Sequence, residues 1–347
     1  MGKQYLERFL PSAYNTFYDN WALYVVDNAS TDKSVEYLKK EGFQTKGTPT
    51  ENGNRFLIEL DQNYGFAGGY NEGLKDIKAD YYVLLNSDVE VAPNWVLPVI
   101  ELMESDDQIA VCQPKIRMYD EKLLFEHAGA AGGWIDYLGY PFCRGRIFNV
   151  LEADKAQYND TTEIFWATGA AMFIKASLYH QFEGFDASYF AHMEEIDLCW
   201  RLKRANYKVM CCPESVVWHV GGGTLPKNNP RNTFLNFRNS LATLFKNESG
   251  LRAYRLVFIR LVLDAPAALL FLLKGEFKNI NAIVKAHWTF FGSFGKIRTK
   301  KAHYQKLVEQ HAYQGKVEFN ATGYYRKSIV LQHFLKAKQS FKQLFDH

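Results

Sequence analysis

Three sets of side chains in this 347-residue chain are of types, and at spacings, that could carry chemistry. Asp88 follows the apolar run 81–85 (YYVLL) in the triplet Asn86-Ser87-Asp88. A carboxylate at a strand end, behind a small residue, suits a hard divalent cation that also touches phosphate oxygens; the same triplet also makes an ordinary turn. His219 closes a second apolar run, 216–219 (VVWH), and precedes Gly221-Gly222-Gly223-Thr224. Such an imidazole can be purely structural, but glycines beside it let backbone approach a ligand closely. Asp88 and His219 together would supply two metal ligands from strand ends. Glu194, Glu195 and Asp197 place three acids within four residues where a helical pattern begins. They complement the positive end of a helix, and one of them would serve as general base on an acceptor hydroxyl, its pKa set by its neighbours. Tyr189, Phe190, Ala191, His192 and Met193, just before them, would line a partly apolar pocket.

The segment 63–71 (NYGFAGGYN) is glycine-rich and runs into a helical stretch. Its amides and that helix's N-terminus could hold a diphosphate, or simply make a tight loop. It is neither a Walker A loop nor a GxGxxG fingerprint. Without GxSxG or a persuasive Cys/His pairing, nothing argues for serine or cysteine nucleophilic catalysis.

The elements that must position these groups can be read from hydrophobic pattern. Strands at 22–27, 56–60 and 81–85 alternate with helices at 35–41 and about 70–78, which predicts an α/β layered domain with a largely parallel sheet. The strand runs are apolar throughout, as for strands covered on both faces, and ligands in such sheets gather at carboxyl ends. A further apolar run lies at 170–174, and 194–205 has helical spacing, with Ile196, Leu198, Cys199 and Leu202 on one face.

With 47% hydrophobic and 23% charged residues, the chain is neither disordered nor of low complexity. Five cysteines without a CxxC pair argue against a disulfide framework or a zinc site and for a reducing cytoplasm. Residues 1–10 lack the apolar core of a secretory leader. The net charge of +3 hides an asymmetry: residues 246–347 hold 18 Lys/Arg against 6 Asp/Glu, a surplus of 12 positive charges. That basic back also carries the most hydrophobic segment, 256–273, interrupted by Arg260, Asp264 and Pro266. It reads as an interfacial or hairpin helix held against anionic lipid, rather than as a nucleic-acid surface, a core helix or a membrane span. We therefore expect residues 1–245 to form the chemical domain and 246–347 a helical extension for membrane-surface or oligomer contact, a homodimer included.

Six motifs line up in one order: VVDNASTD (25–32), NYGFAGGYNEG (63–73), LLNSD (84–88), TGAAMFIKAS (168–177), GFDASYFAHMEEIDLCWR (184–201) and HVGGGT (219–224). Together they resemble family 2 glycosyltransferases, closest to bacterial rhamnosyltransferase-like members, over nearly all of residues 3–240. The resemblance implies a GT-A fold, Rossmann-like with a mostly parallel central sheet and flanking helices. It further implies a nucleotide-sugar donor, Mg or Mn, inversion at the anomeric carbon, and a glycan or lipid-linked acceptor at the inner face of the plasma membrane. Carried over by motif, Asp27 would contact the nucleotide base. Asn63, Gly65, Phe66, Gly69 and Asn71 would surround the nucleoside and diphosphate. Asp88 matches the last acid of the DxD metal motif, whose first acid is Asn86 here, and His219 matches the histidine that completes the site. The Glu-Asp catalytic pair falls on Glu194-Glu195, which makes Glu195 the candidate base with Asp197 and Glu194 as rivals. Arg238 resembles a basic residue near the diphosphate.

The hydrophobic strand with which family members usually begin has no counterpart ahead of Gly2 in this sequence. Its usual neighbours would then carry unpaired backbone groups, at about 1–3 kcal/mol for each buried one. That leaves a catalytically weak nucleotide-sugar-binding or scaffold protein as an alternative. A nucleotidyltransferase is a further one, without a basic glycine-rich signature to support it.

Overall fold

Apolar runs become strands wherever a neighbour can complete their ladders, and the helices between them cover the faces. Along the chain, α1 (Gly2–Tyr14) precedes β1 (Leu23–Asp27), α2 (Ser34–Lys40), β2 (Gln44–Thr45) and β3 (Arg55–Glu59). These come from a computed structural model that describes residues 2–45, 54–126, 129–221 and 229–345. β2, β3 and β1 form a parallel three-stranded sheet in which Asp27 pairs with Glu59. Leu6, Leu10, Leu38, Phe43 and Leu57 make a small core of its own beneath it.

α3 (Gly65–Leu74), β4 (Tyr81–Leu85), β5 (Val89–Val91), α4 (Leu97–Glu104) and β6 (Ile109–Met118) follow. Next come the short strands β7 (Gly133–Asp136), β8 (Pro141–Cys143), β9 (Arg146–Ile147) and β10 (Val150–Leu151). β11 (Thr162–Ile164), β12 (Ala171–Lys175), α5 (Ala176–Gln181), α6 (Glu194–Arg204) and β13 (Lys208–His219) complete the larger sheet region. That sheet has the order β11-β13-β6-β12-β4, with β5 pairing the end of β13. β13 and β6 run parallel, and the remaining pairs are antiparallel. The architecture is thus α/β, but the larger sheet is mixed rather than mostly parallel as expected: parallel ladders join β1 to β3, β3 to β2 and β6 to β13, and β4, which the pattern grouped with β1 and β3, instead pairs antiparallel with β12.

Two details bear on the site. The helix expected at about 70–78 begins at Gly65, so the glycine-rich segment is itself the first two turns. Tertiary packing overrides glycine's low helix propensity here. A Cβ on Gly73 would lie 2.5 Å from a Val26 methyl carbon, so glycine lets α3 settle onto β1. Second, β1 and β4 each end their sheet, and no ladder joins them among the described residues. α3 spans the two, resting on Val26 and donating from the Tyr70 hydroxyl to the Leu85 carbonyl at 3.2 Å. The apolar strand β1 stays only half-buried until Asp27, and Val83 on β4 is exposed.

The C-terminal part is helical: α7 (Pro230–Asn247), α8 (Gly250–Leu273), α9 (Phe277–Gly292) and α10 (Phe294–Gln310). A last stretch, β14 (Tyr324–Tyr325), α11 (Ile329–Phe334) and α12 (Phe341–Phe345), returns to the sheet region. There β14 pairs β7, and Phe341 and Phe345 pack edge-on against Trp134. The two charges that interrupt α8 face the protein. Arg260 is buried and donates to the Leu138 carbonyl and the Ser240 hydroxyl, while buried Asp264 pairs with His287 of α9 at 2.8 Å. The opposite face of the α8–α9 hairpin is apolar and open, with Phe258 67%, Leu273 75% and Trp288 75% exposed.

Candidate active site

Strand register brings the first two candidates together. His219 is the last residue of β13 and lies opposite Val89 of β5, one residue beyond Asp88. The backbone bond from Val220 N to Asp88 O, 3.1 Å, closes the same turn. The imidazole Nε2 consequently stands 3.2 Å from Asp88 Oδ1, and its Nδ1 stands 3.3 Å from Glu126 Oε2. All three side chains are buried. Burial alone would lower the imidazole pKa; the carboxylates of Asp88 and Glu126 outweigh that and push it up to about 10. A divalent cation here would displace the proton that the two carboxylates hold on the ring, and Asp88 and His219 Nε2 would then be two ligands, with Glu126 behind the ring on Nδ1. Among the described residues no group of three or more His, Cys, Asp or Glu forms a ready-made metal cage. Gly222, Gly223 and Thr224 of the glycine motif lie outside the described residues.

The donor-side candidates form one connected loop. Asp27 ends β1, and its Oδ2 accepts from Ser30 N at 3.0 Å. The adjacent Asn28 organises the glycine-rich segment: Nδ2 donates to the Gly65 carbonyl at 2.8 Å and Oδ1 accepts from Tyr64 N at 2.9 Å. Asn63 Oδ1 accepts from Gly65 N at 2.9 Å. A Cβ on Gly69 would come 2.9 Å from Asn28 Nδ2, so that position must stay bare. Phe66 packs against Tyr70 and Phe185. Asn86 leaves β4 with its amide donating to the Ala170 carbonyl at 3.0 Å.

Three expectations need correction. The first amides of α3 are not open to a diphosphate, because the Phe190 carbonyl accepts from Phe66 N at 2.6 Å and Ala67 N at 3.2 Å. Gly65, at φ 74°, is what lets that carbonyl approach. Asn71 is a scaffold tie: its Oδ1 accepts from the Tyr179 hydroxyl and Phe185 N, and its Nδ2 donates to the Phe185 carbonyl. Arg238 likewise commits Nη2 to the Ser188 and Tyr189 carbonyls and Nε to Asn239.

The acids of α6 separate into two kinds. Asp197, fully buried, accepts from Asn247 at 2.8 Å and Lys246 at 3.1 Å and pairs with Arg201 at 3.2 Å. That set of partners leaves it no role as a base, which corrects its place among the rivals. Glu194 is buried and Glu195 half-buried, and Oε2 of each has no hydrogen-bond partner among the described residues. Burial raises both: Glu194 well above the carboxylate range, helped by its neighbour's charge, and Glu195 to about 7. A glutamate poised there can take a proton near neutrality. The Glu195 side chain lies beside Gly169, whose other neighbour is Phe66, so the raised acid and the donor loop share one wall. Glu126 and Glu195 both add to the burial that pushes the Cys143 thiol up to about 12.

Sequence reasoning missed Asn28, Glu126 and Asn239. Asn28 sits beside Asp27 in a motif already noted, and Asn239 sits on the buried stripe of α7 with Asn232 and Leu235 at helical spacing. Glu126 carried no local signal.

An α/β sheet with a donor-type loop, a carboxylate–imidazole pair at strand ends and a helical C-terminal extension defines a glycosyltransferase of the GT-A class. Comparison with known proteins agrees. Glycosyl transferase family 2 is matched over residues 2–180, and the chain belongs to that family. It is 24% identical over 234 residues to the N-acetylglucosaminyl-diphospho-decaprenol L-rhamnosyltransferase of Mycobacterium tuberculosis, covering 62% of this chain and 71% of the relative. Among solved structures, S. aureus TarS 1-349 in complex with UDP-GlcNAc is similar at TM-score 0.51 and 12% identity, over 94% of this chain and 96% of that one. GalNAc-T7 with UDP, GalNAc and Mn2+ is similar at TM-score 0.52 and 13% identity, over 69% of this chain. This chain spans 44% of that neighbour.

Proposed function

We propose that the chain moves a sugar, rhamnose in our reading, from a nucleotide-diphosphate donor to a hydroxyl of a cell-surface glycan or lipid-linked acceptor, by a single displacement that inverts the anomeric carbon. The approach of His219 Nε2 to within 3.2 Å of Asp88 supports it most, because strands distant in sequence bring to one point two groups able to ligate a cation. Mg or Mn held by Asp88 and His219 would neutralise the departing diphosphate. Glu195 takes the acceptor hydroxyl proton on its unpartnered Oε2, with Glu194 as the rival for that role. Asp27, Asn63, Gly65, Phe66, Gly69 and Asn86 form the donor side, shaped by Asn28. The similarity to the mycobacterial rhamnosyltransferase supports the choice of sugar and a lipid-diphosphate type of acceptor.

A panel of UDP- and dTDP-sugars, each with and without EDTA, tests this reading. Donor hydrolysis or transfer should stop with EDTA and return with Mn or Mg. Turnover that ignores EDTA would remove the metal from the scheme. Nucleotide binding without turnover would favour a scaffold, and release of pyrophosphate a nucleotidyltransferase.

In this reading residues 1–245 carry the chemistry and 246–347 bring it to the cytoplasmic face of a membrane. α8 is long and apolar enough to cross a bilayer, by length and composition. Its buried charges and open outer face support lying on the surface instead, with exposed Lys274, Lys278 and Lys285 supplying positive charge on the same hairpin as exposed Trp288. Phe341 and Leu344 sit in the main core, so truncation near residue 250 would damage the fold as well. Point variants test it better: the native chain should float with phosphatidylglycerol liposomes, and a Phe258→Ser, Trp288→Ser double variant should not. A chain that never floats would make the hairpin a contact between protein copies.

A further inference from the structure

The four residues ahead of the Glu194–Glu195 pair form an arch whose backbone is held entirely from outside. Phe190 has φ 66° and ψ −58°, and Ala191 N donates to the Tyr189 carbonyl at 2.8 Å, which closes a γ-turn of the rare, strained hand. His192 at φ 72° and Met193 at φ 73° continue in the left-handed region, where non-glycine residues are uncommon. Met193 is then the residue from which α6 starts. Such a run persists only where its surroundings over-determine it. Here the Phe190 carbonyl is taken by the first amides of α3 and the Met193 carbonyl by Asp197 N of α6, while those of Ala191 and His192, with that of Tyr189 just ahead of the arch, converge on one side chain. Asn239 Nδ2 lies 3.1 Å from the Tyr189 carbonyl, 2.9 Å from that of Ala191 and 2.8 Å from that of His192. Three acceptors around one nitrogen also settle which way the amide points. Asn239 is fully buried in the interior of α7, a place where asparagine is otherwise unfavourable. Its Oδ1 accepts from Arg238 Nε at 2.8 Å, and Arg238 grips the Ser188 and Tyr189 carbonyls as well.

We propose that Asn239 is a positioning residue for the transfer reaction: by clamping the Tyr189–His192 carbonyls it holds the strained arch that aims the first-turn carboxylates of α6 at the acceptor. The clamp joins α7, on which the hairpin packs, to the N-terminus of α3 through a single loop. The inference rests on Glu195 acting as the base, as read above.

The isosteric Asn239→Asp replaces the donor with an acceptor against three carbonyls. In the full chain its kcat should fall by about 10²-fold, the order expected when a reacting group is misplaced by about 1 Å. UDP or dTDP affinity by calorimetry should stay within about threefold. Combined with Glu195→Gln, it should cost no more than about threefold beyond Glu195→Gln alone, because both changes remove the same contribution. A folded Asn239→Asp within about twofold of the native kcat overturns the proposal, and so does a double variant in which the two losses multiply. Where Asn239→Asp does not fold, Asn239→Ser retains a shorter donor and meets the same two criteria. Hydrogen exchange at Ala191–Ile196 reads the arch without turnover. It should quicken at least about tenfold in Asn239→Ser, and unchanged protection overturns the proposal. Failure of the native chain to turn over any donor, or full activity of Glu195→Gln, counts instead against the proposed function.

Discussion

Four acids lie between residues 186 and 197, and the fold treats them in opposite ways. Asp186 accepts from Lys246 at 2.7 Å, and from Lys300 and Ser188; Asp197 is shared among Lys246, Arg201 and Asn247. Burial opposes ionisation of Asp186, but the ammonium groups of Lys246 and Lys300 outweigh it and hold the carboxyl below its usual range. Glu194 and Glu195 meet no cation among the described residues, and burial pushes them up. α7 and α10 bring cations to one flank of the loop and leave the other flank to Phe66 and Gly169. Neighbouring side chains of one chemical type become ion-paired, or stay unpaired with a raised pKa, according to which helix packs on them. The number of acids in the motif says little by itself.

The largest effect should separate the two pairs directly. Glu195→Gln should cut kcat by about 10²–10⁴ while leaving the fold intact. Asp197→Asn should do the reverse, lowering the unfolding midpoint while the folded fraction keeps near-native kcat. Equal kinetic losses in both would erase the distinction. Next in size, Lys246→Met leaves two buried carboxylates short of a cation, and loss of one partner from such a network costs about 3–5 kcal/mol. Urea denaturation at pH 7.5 checks it. The penalty should shrink on acidification, because the Asp186 carboxyl, held low when folded, contributes stability only above the unfolded carboxylate range.

Much of the comparison's framework was legible from residues alone. The strands at 23–27, 55–59 and 81–85 follow from apolar runs, and α6 from its spaced Ile196, Leu198 and Leu202. Asp88 and His219 could be named because each ends such a run. What remained hidden depends on contacts between segments distant along the chain. α3 starts at Gly65 because a carbonyl from residue 190 caps it, and no local rule foresees that. Asp197 looked like a candidate base because its cations arrive from Lys246 and Arg201, one of them on another helix. Asn71 and Arg238 matched a donor-site pattern, yet in three dimensions their polar groups meet Phe185 and the 188–189 carbonyls. Motif order identified the family, while long-range hydrogen bonds set the surroundings of each side chain.

The smallest expected effect sharpens the division within the reactive pair. With Glu195 raised to about 7, kcat/KM should fall about tenfold for each pH unit below that value, since the base must be ionised to accept a proton. Glu194 is raised further, by burial and by its neighbour's charge, so it keeps its proton while Glu195 loses its own. Glu194→Gln therefore mimics the state in which Glu194 already works. Its rate should stay within about threefold of native and its acid limb within about 0.3 pH units, whereas an ionised Glu194 would have held the Glu195 pKa up and its removal would draw the limb down by more. Removing a buried titratable group should also flatten the decline in stability as pH rises from the ordinary carboxylate range, because a raised folded pKa gives a contribution lost on that rise. Should Glu194→Gln abolish turnover while Glu195→Gln retains it, the two glutamates exchange roles. The base would then be the more deeply buried of the pair, and the half-buried one would hold the proton beside it.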